Sequence, residues 1–254
     1  MELKLGKLPA KIDKRTIKLK TILRKLPPFP TRYDIDISHP VPIPYRMFLN
    51  DVLGNCVVVT KFNWLLRAEA FEQKRLVEIT DDQVRKQYFK ESGGADTGLY
   101  MLDSLRDWRK QGITIGQRKI ACLKWGGETY SIYAFASIHP GDPEDIKASI
   151  CLLNGAPIGL WLPESVMDQF NQGKVWEYVG DNSNIGGHAV DCNSYNEIGP
   201  QYLTWGKKVQ ATWEFHGRFC DEGYACVDNR NAFTPDSPVN CEKLNGYLAE
   251  IEKN

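Results

Sequence analysis

The stretch Asn50-Asp51-Val52-Leu53-Gly54-Asn55-Cys56 runs straight into Val57-Val58-Val59-Thr60-Lys61-Phe62, and the way this junction folds decides the rest. From Cys56 to about Arg75 the apolar residues Val59, Phe62, Leu66 and Ala70 recur at helical spacing, with Lys61, Arg67 and Glu69 off that stripe. The β-branched run at 57–59 offers a short buried strand as the rival. The periodic pattern continues for about five turns, so the spacing predicts a helix that opens at Cys56. A cysteine at that end meets the positive pole of the helix dipole, which favours thiolate over thiol. Gly54 permits a tight turn and lets another backbone come close. Taken alone, the segment favours a plainer reading of Cys56 as a small buried hydrophobe.

Working outward, Thr80 and Gln83 form a capping-box pattern that starts a second helix. A third starts near Thr97, aligns Met101, Leu105 and Trp108 on one face, and stops at Gly112. After Gly112 strand-like runs take over, at Lys119–Trp125, Tyr130–Ile138, Ile158–Leu162, His188–Tyr195, Gln201–Trp205 and Gly223–Val227. Helices are predicted from Asp142-Pro143 to Gly155, over Ser165–Gln172 and over Cys241–Glu252. A helical first half and a strand-rich second half make an α+β chain with two lobes. The helical lobe spans about residues 45–115 and the antiparallel β-rich lobe about 116–254.

Ahead of both lobes lies a basic extended arm, residues 1–30, separated by Pro27-Pro28-Phe29-Pro30 from the domain at 31–254. Residues 1–26 carry nine Lys/Arg against Glu2 and Asp13, a balance of +7 in a chain whose net charge is zero. The rest of the chain is therefore acidic by 7. Such an arm lies on that acidic body or docks on an acidic surface of a partner; it is read here as lying outside the core. The overall neutrality speaks against a nucleic-acid binder. No window holds the roughly 18 uninterrupted apolar residues of a membrane span. The N-terminus lacks the apolar segment of a secretory signal, so a reducing, cytoplasmic setting is the expectation. Seven cysteines occur, none in a CxxC pair, and Cys220–Cys226 lacks the partner ligands of a zinc site. No metal or cofactor is predicted.

The second informative segment is Gly186-Gly187-His188-Ala189-Val190-Asp191, a histidine that follows two glycines and opens an alternating strand. A thiol on a helix tip facing such a histidine across a two-lobe cleft makes a workable nucleophile–base pair. Taken with Asn50–Cys56, Thr204-Trp205-Gly206 and Asp221-Glu222-Gly223-Tyr224-Ala225, in this order, the chain resembles the papain-like (C1-type) cysteine peptidase superfamily. Within it the sequence is similar to bacterial and phage-associated relatives, down to Leu5-Gly6-Lys7-Leu8-Pro9-Ala10 in the arm. His188 follows Cys56 by 132 residues, within the roughly 130–150 of papain-type enzymes.

The resemblance implies a papain-like two-lobe fold and a peptidase acting on a peptide or protein substrate. Cys56 is then the nucleophile, His188 its base, and Gly54, Gly187 and Trp205 line the substrate groove. Two positions depart from the family pattern. Asn50 stands where a glutamine usually supplies an oxyanion donor; it is either a shorter donor or a turn residue bonded to its own backbone. Leu203 stands in strict register where an asparagine orients the histidine, and a shift of one residue puts Thr204 there. Two alternatives follow from these departures and from the shared acyl-enzyme step: a catalytically weak or inactive binding module, and an acyltransferase or peptidoglycan amidase. His39 and His139, each followed by proline, read as loop or turn residues. His216 reads as structural, and Asp191, three residues beyond His188, faces the other side of the strand.

Overall fold

The computed structural model describes residues 3–24, 28–38, 42–74, 76–116, 118–120, 123–125, 127–228 and 237–252. The predicted helix exists as α2 (Cys56–Gln73), following a short α1 (Leu19–Ile22) and strand β1 (Tyr33–Asp34). It is buried from Cys56 through Ala70, apolar and polar residues alike. A helix buried all round must neutralise its charges internally. Lys61 does so on Glu91 at 2.5 Å, and Arg67 on Asp36 at 2.9 Å. Both side chains, off the apolar stripe in sequence, are therefore part of the interior. The helical lobe is completed by α3 (Asp81–Glu91) and α4 (Met101–Gln111). Thr80 caps α3 in a full capping box with Gln83, and Gly112, at φ 70°, ends α4.

The second half supplies β2 (Ile113–Ile115), β3 (Arg118–Ile120), β4 (Leu123–Trp125), β5 (Glu128–Tyr130) and β6 (Ile132–Ser137). Helix α5 (Pro143–Leu153), β7 (Ala156–Leu162), α6 (Ser165–Asn171), β8 (Gly186–Tyr195), β9 (Pro200–Thr204) and β10 (Lys207–Gln210) follow. The chain continues through α7 (Trp213–Phe219), β11 (Cys220–Asp228) and α8 (Cys241–Glu252). The main sheet runs β10-β9-β8-β7-β11-β6, with β1 also on β8, and every pairing in it is antiparallel. One expected strand differs: in place of a single run, β3 and β4 pair antiparallel, Lys119 with Lys124 and Ile120 with Leu123. Two apolar cores result, one around α2–α4 and one under the sheet. This is the two-lobe α+β architecture, helical first and β-rich second.

The arm divides into two parts. Residues 17–22 belong to the core: Ile17, Leu19 and Ile22 are buried under the sheet, and Ser137 N–H bonds Ile17 O at 2.6 Å. Lys18 and Lys20 alternate outward, so the lysines mask in sequence an ordinary in–out pattern. The arm's cations meet this chain's own carboxylates: Lys7 on Asp221, Lys11 on Asp103, and Lys20 on Asp142. Pro27 lies outside the described residues, as does His39.

Candidate active site

Cys56 is the first residue of α2, and its thiol is fully buried. The ends of α2 and β8 lie side by side. The backbone of Ala189, the residue after His188, and that of Gly6 from the arm act on the thiol electrostatically. Burial pushes the Cys56 thiol up to about 11, and these backbone groups, the Lys7 charge and the Val57 backbone only partly offset it.

His188 is fully buried near the start of β8. Its Nε2 lies 2.6 Å from Thr204 Oγ1 at the end of β9. Its Nδ1 is buried with no hydrogen-bond partner among the described residues, a costly state for a ring nitrogen. Trp205 stacks on the ring with centroids 4.2 Å apart, its own backbone held at φ 46° in the left-handed region. Burial pushes His188 down to about 3, so the ring is neutral. Leu203 is buried one position earlier; it is Thr204 that reaches the ring.

Asn50 is buried, and its Nδ2 donates to Leu53 O at 3.2 Å, the local turn bond that sequence offered as one of two roles. Gly54 donates its N–H to Asp96 Oδ1 at 2.9 Å. Asp191 points elsewhere, its charge acting with Arg67, Asp36 and Lys208 rather than with His188. His216 is buried between Tyr202 Oη and Pro140 O. His139 sits in a turn whose Gly141 N–H bonds its Nδ1 at 3.2 Å.

Arm residues 4–8 fill the groove between the lobes. Lys4 N–H donates to Asn50 O at 3.3 Å, while Gly6 and Lys7 N–H converge on Gly187 O at 3.2 and 3.0 Å. Leu99 is bonded on both sides, donating to Gly6 O at 2.8 Å and accepting from Leu8 N–H at 2.9 Å. Trp205 Nε1 donates to Lys4 O at 3.4 Å. A side chain at Gly6 would lie 1.8 Å from Gly54 O, and one at Gly187 would lie 2.2 Å from Lys7 O. Both glycines are required by the close approach of two backbones. Gly54, Gly187 and Trp205 thus meet one extended segment, and Trp205 and Thr204 in turn hold the His188 ring. Sequence reasoning did not single out Leu99, Asp96 or Lys7. The glycine-rich run Gly93-Gly94-Ala95-Asp96-Thr97-Gly98 carried the available signal for the first two.

No protein-family model and no curated protein matches the sequence. Solved structures do. Xylellain, a cysteine protease from Xylella fastidiosa, is similar with a TM-score of 0.67 at 15% identity, over 89% of this chain and 97% of that one. A cysteine protease of Carica candamarcensis gives 0.58 at 15%, over 79% and 100%. Procathepsin B from Trypanosoma congolense gives 0.58 at 15%, over 88% and 86%. At such identities the likeness concerns fold, and the fold of this chain is that of the papain-like cysteine proteases.

Proposed function

We propose that the chain is a cysteine-dependent peptidase held in a closed state by its own arm. The observation that carries this reading is the His188 ring, whose Nε2 is engaged by Thr204 and whose buried Nδ1 has no partner. With Nε2 protonated and donating to Thr204 Oγ1, Nδ1 holds the lone pair that would take the Cys56 proton. The thiolate attacks the amide carbonyl, the C–N bond breaks as the imidazolium returns its proton to the leaving amine, and water then hydrolyses the thioester. The Cys56 N–H, unused inside the first helical turn, and the second Asn50 amide hydrogen are the oxyanion donors.

In the closed state burial holds both thiol and ring neutral. Cleavage of the arm is thereby disfavoured. Similar solved structures include proenzyme forms by name, of cathepsins B and L. The test is labelling of the full chain by a thiol-directed electrophile, together with peptide hydrolysis, in wild type, Cys56→Ala and His188→Ala. Loss of labelling in Cys56→Ala and strong slowing in His188→Ala are expected; equal labelling in all three overturns the proposal.

One observation favours a second reading, a binding module without turnover: the groove is filled by native residues, and no hydrogen bond among those described joins thiol to ring. Full biological activity of Cys56→Ala would select it.

A further inference from the structure

The Lys7 side chain is fully buried, yet it belongs to a segment held to the groove mainly by backbone bonds. It leaves the arm at the position level with both Gly187 and Leu99 and passes over Gly159 of β7. A side chain at Gly159 would lie 2.2 Å from Lys7 Cε and 2.7 Å from Glu222 Cγ. Glycine at this position therefore keeps a channel open, floored by the sheet. Trp161 flanks the channel, its ring centroid 5.1 Å from Lys7 Nζ. At the far end Nζ meets Asp221 Oδ2 at 2.7 Å and Glu222 Oε1 at 3.2 Å. Tyr224 Oη donates to Glu222 Oε2 at 2.8 Å, which fixes that carboxylate in place.

A purely structural ion pair is saturated, as the buried pair in the helical lobe shows. There Glu91 receives Lys61 and Gln87 on one oxygen and Ser104 on the other. The groove pocket is not saturated. Asp221 Oδ1 is buried with no hydrogen-bond partner among the described residues, and Glu222 Oε1 has only the Lys7 ion pair at 3.2 Å. Two carboxylates facing one ammonium leave surplus acceptors, and a guanidinium with five donors matches that surplus better than lysine does.

We infer that the channel from Gly159 to Asp221 and Glu222 is a subsite for a Lys or Arg side chain of the substrate, and that Lys7 occupies it as a stand-in. The inference rests on the peptidase reading and assigns it a substrate class, polypeptides with a basic residue at the position that enters this channel. The side chain enters from the strand position bonded to both lips of the groove, so the pocket selects by charge and length.

The test uses the full chain with Lys7→Ala, which empties the channel without shortening the arm. Fluorescent hexapeptides in an alanine–leucine background carry Lys, Arg, norleucine or Glu at each position in turn. Binding is read by anisotropy in a Lys7→Ala/Cys56→Ala chain, and hydrolysis in Lys7→Ala alone. Lys and Arg peptides are expected to bind at least about tenfold more tightly than the norleucine peptide of equal length. Asp221→Asn with Glu222→Gln should erase that margin. Should this pair of changes fail to fold, n-butylammonium raising the melting temperature of Lys7→Ala, where 1-butanol does not, reads the same charge. Equal affinity for Lys and norleucine peptides, or binding by neither, overturns the subsite. Selective binding with no hydrolysis of any peptide leaves the subsite standing and removes the peptidase reading. Hydrolysis indifferent to charge does the opposite.

Discussion

Two buried histidines lie in the β-rich lobe, and only one is complete. His216 has Nδ1 2.6 Å from Tyr202 Oη and Nε2 3.0 Å from Pro140 O, so its neutral ring both accepts and donates. His188 has the Thr204 bond on Nε2 and nothing on Nδ1. Burial depresses both, His216 to about 4 and His188 to about 3. Neither depth nor charge state separates them. The difference is one nitrogen, buried on His188 without a hydrogen-bond partner among the described residues, and a buried polar atom left in that state calls for an explanation.

The largest effect should come from removing each ring. His188→Ala is expected to lower peptide hydrolysis by at least about a thousandfold, since the proposed base is lost. His216→Ala should leave kcat/KM within about threefold but destabilise the chain by about 2–4 kcal/mol in urea, through a cavity and an orphaned Tyr202 hydroxyl. If the two variants lose activity alike, the contrast between the rings has no functional content.

Next in size is the release of the closed state. Valine at position 6 cannot coexist with Gly54 O at the distance that the arm backbone imposes. In Gly6→Val the arm should therefore leave the groove, and the Cys56 thiol should fall from about 11 toward the ordinary cysteine range. Alkylation of Cys56 at pH 7.5, followed by mass spectrometry, should accelerate at least about tenfold. An unchanged rate means that the arm does not control access.

A smaller effect belongs to the bond the two histidines share in kind. Thr204→Val keeps the shape and removes the oxygen on His188 Nε2. Turnover should drop by about 10–100-fold with KM little changed, and Thr204→Asn, which restores an acceptor, should recover part of it. A proportional rise in KM would instead mark Thr204 as a groove-shaping residue.

Much of this was legible in sequence where one short-range rule governs. The capping box at Thr80, the stop at Gly112 and the helix from Cys56 each depend on neighbours within a few residues, and each is present. Gly54 likewise announced a close backbone approach, and the arm backbone at Leu5 and Gly6 makes it. What sequence did not reveal was the identity of the approaching chain. Lys7 meets Asp221 across 214 positions, and no local pattern encodes such a partner. The inner half of the arm was misjudged for a related reason: Lys18 and Lys20 dominate its composition, while Ile17 and Leu19 fill gaps under a sheet built from residues over a hundred positions away. The register at Leu203 and Thr204 is set by the pairing of β9 with β8 and its bulge between Cys192 and Ser194, which composition cannot show.

The smallest effects are in the pH dependence of stability, where His188 and Asp191 on the same strand oppose each other. His188 is depressed to about 3 from an unfolded value near 6.5, so the unfolded chain binds the extra proton. Its contribution is fully present above about pH 6.5 and is lost as pH falls toward 3. Asp191 is raised to about 7, chiefly by burial, and neither carboxylate oxygen has a hydrogen-bond partner. Here the folded chain holds the proton, so its contribution is present at acid pH and is lost as pH rises from about 4 to about 7. The two slopes offset each other between about pH 4 and 6.5. Asp191→Asn should uncover the joint slope of the two buried histidines, with urea stability rising by on the order of 2–6 kcal/mol from pH 4 to 6.5 and flat above it. His188→Gln should flatten the curve over the same range, because His216, also depressed by burial, still opposes Asp191, and only a fall from about pH 6.5 to about 7 remains. Parallel curves for the two variants would mean that neither pKa differs between the folded and unfolded chain, so that burial does not hold His188 neutral.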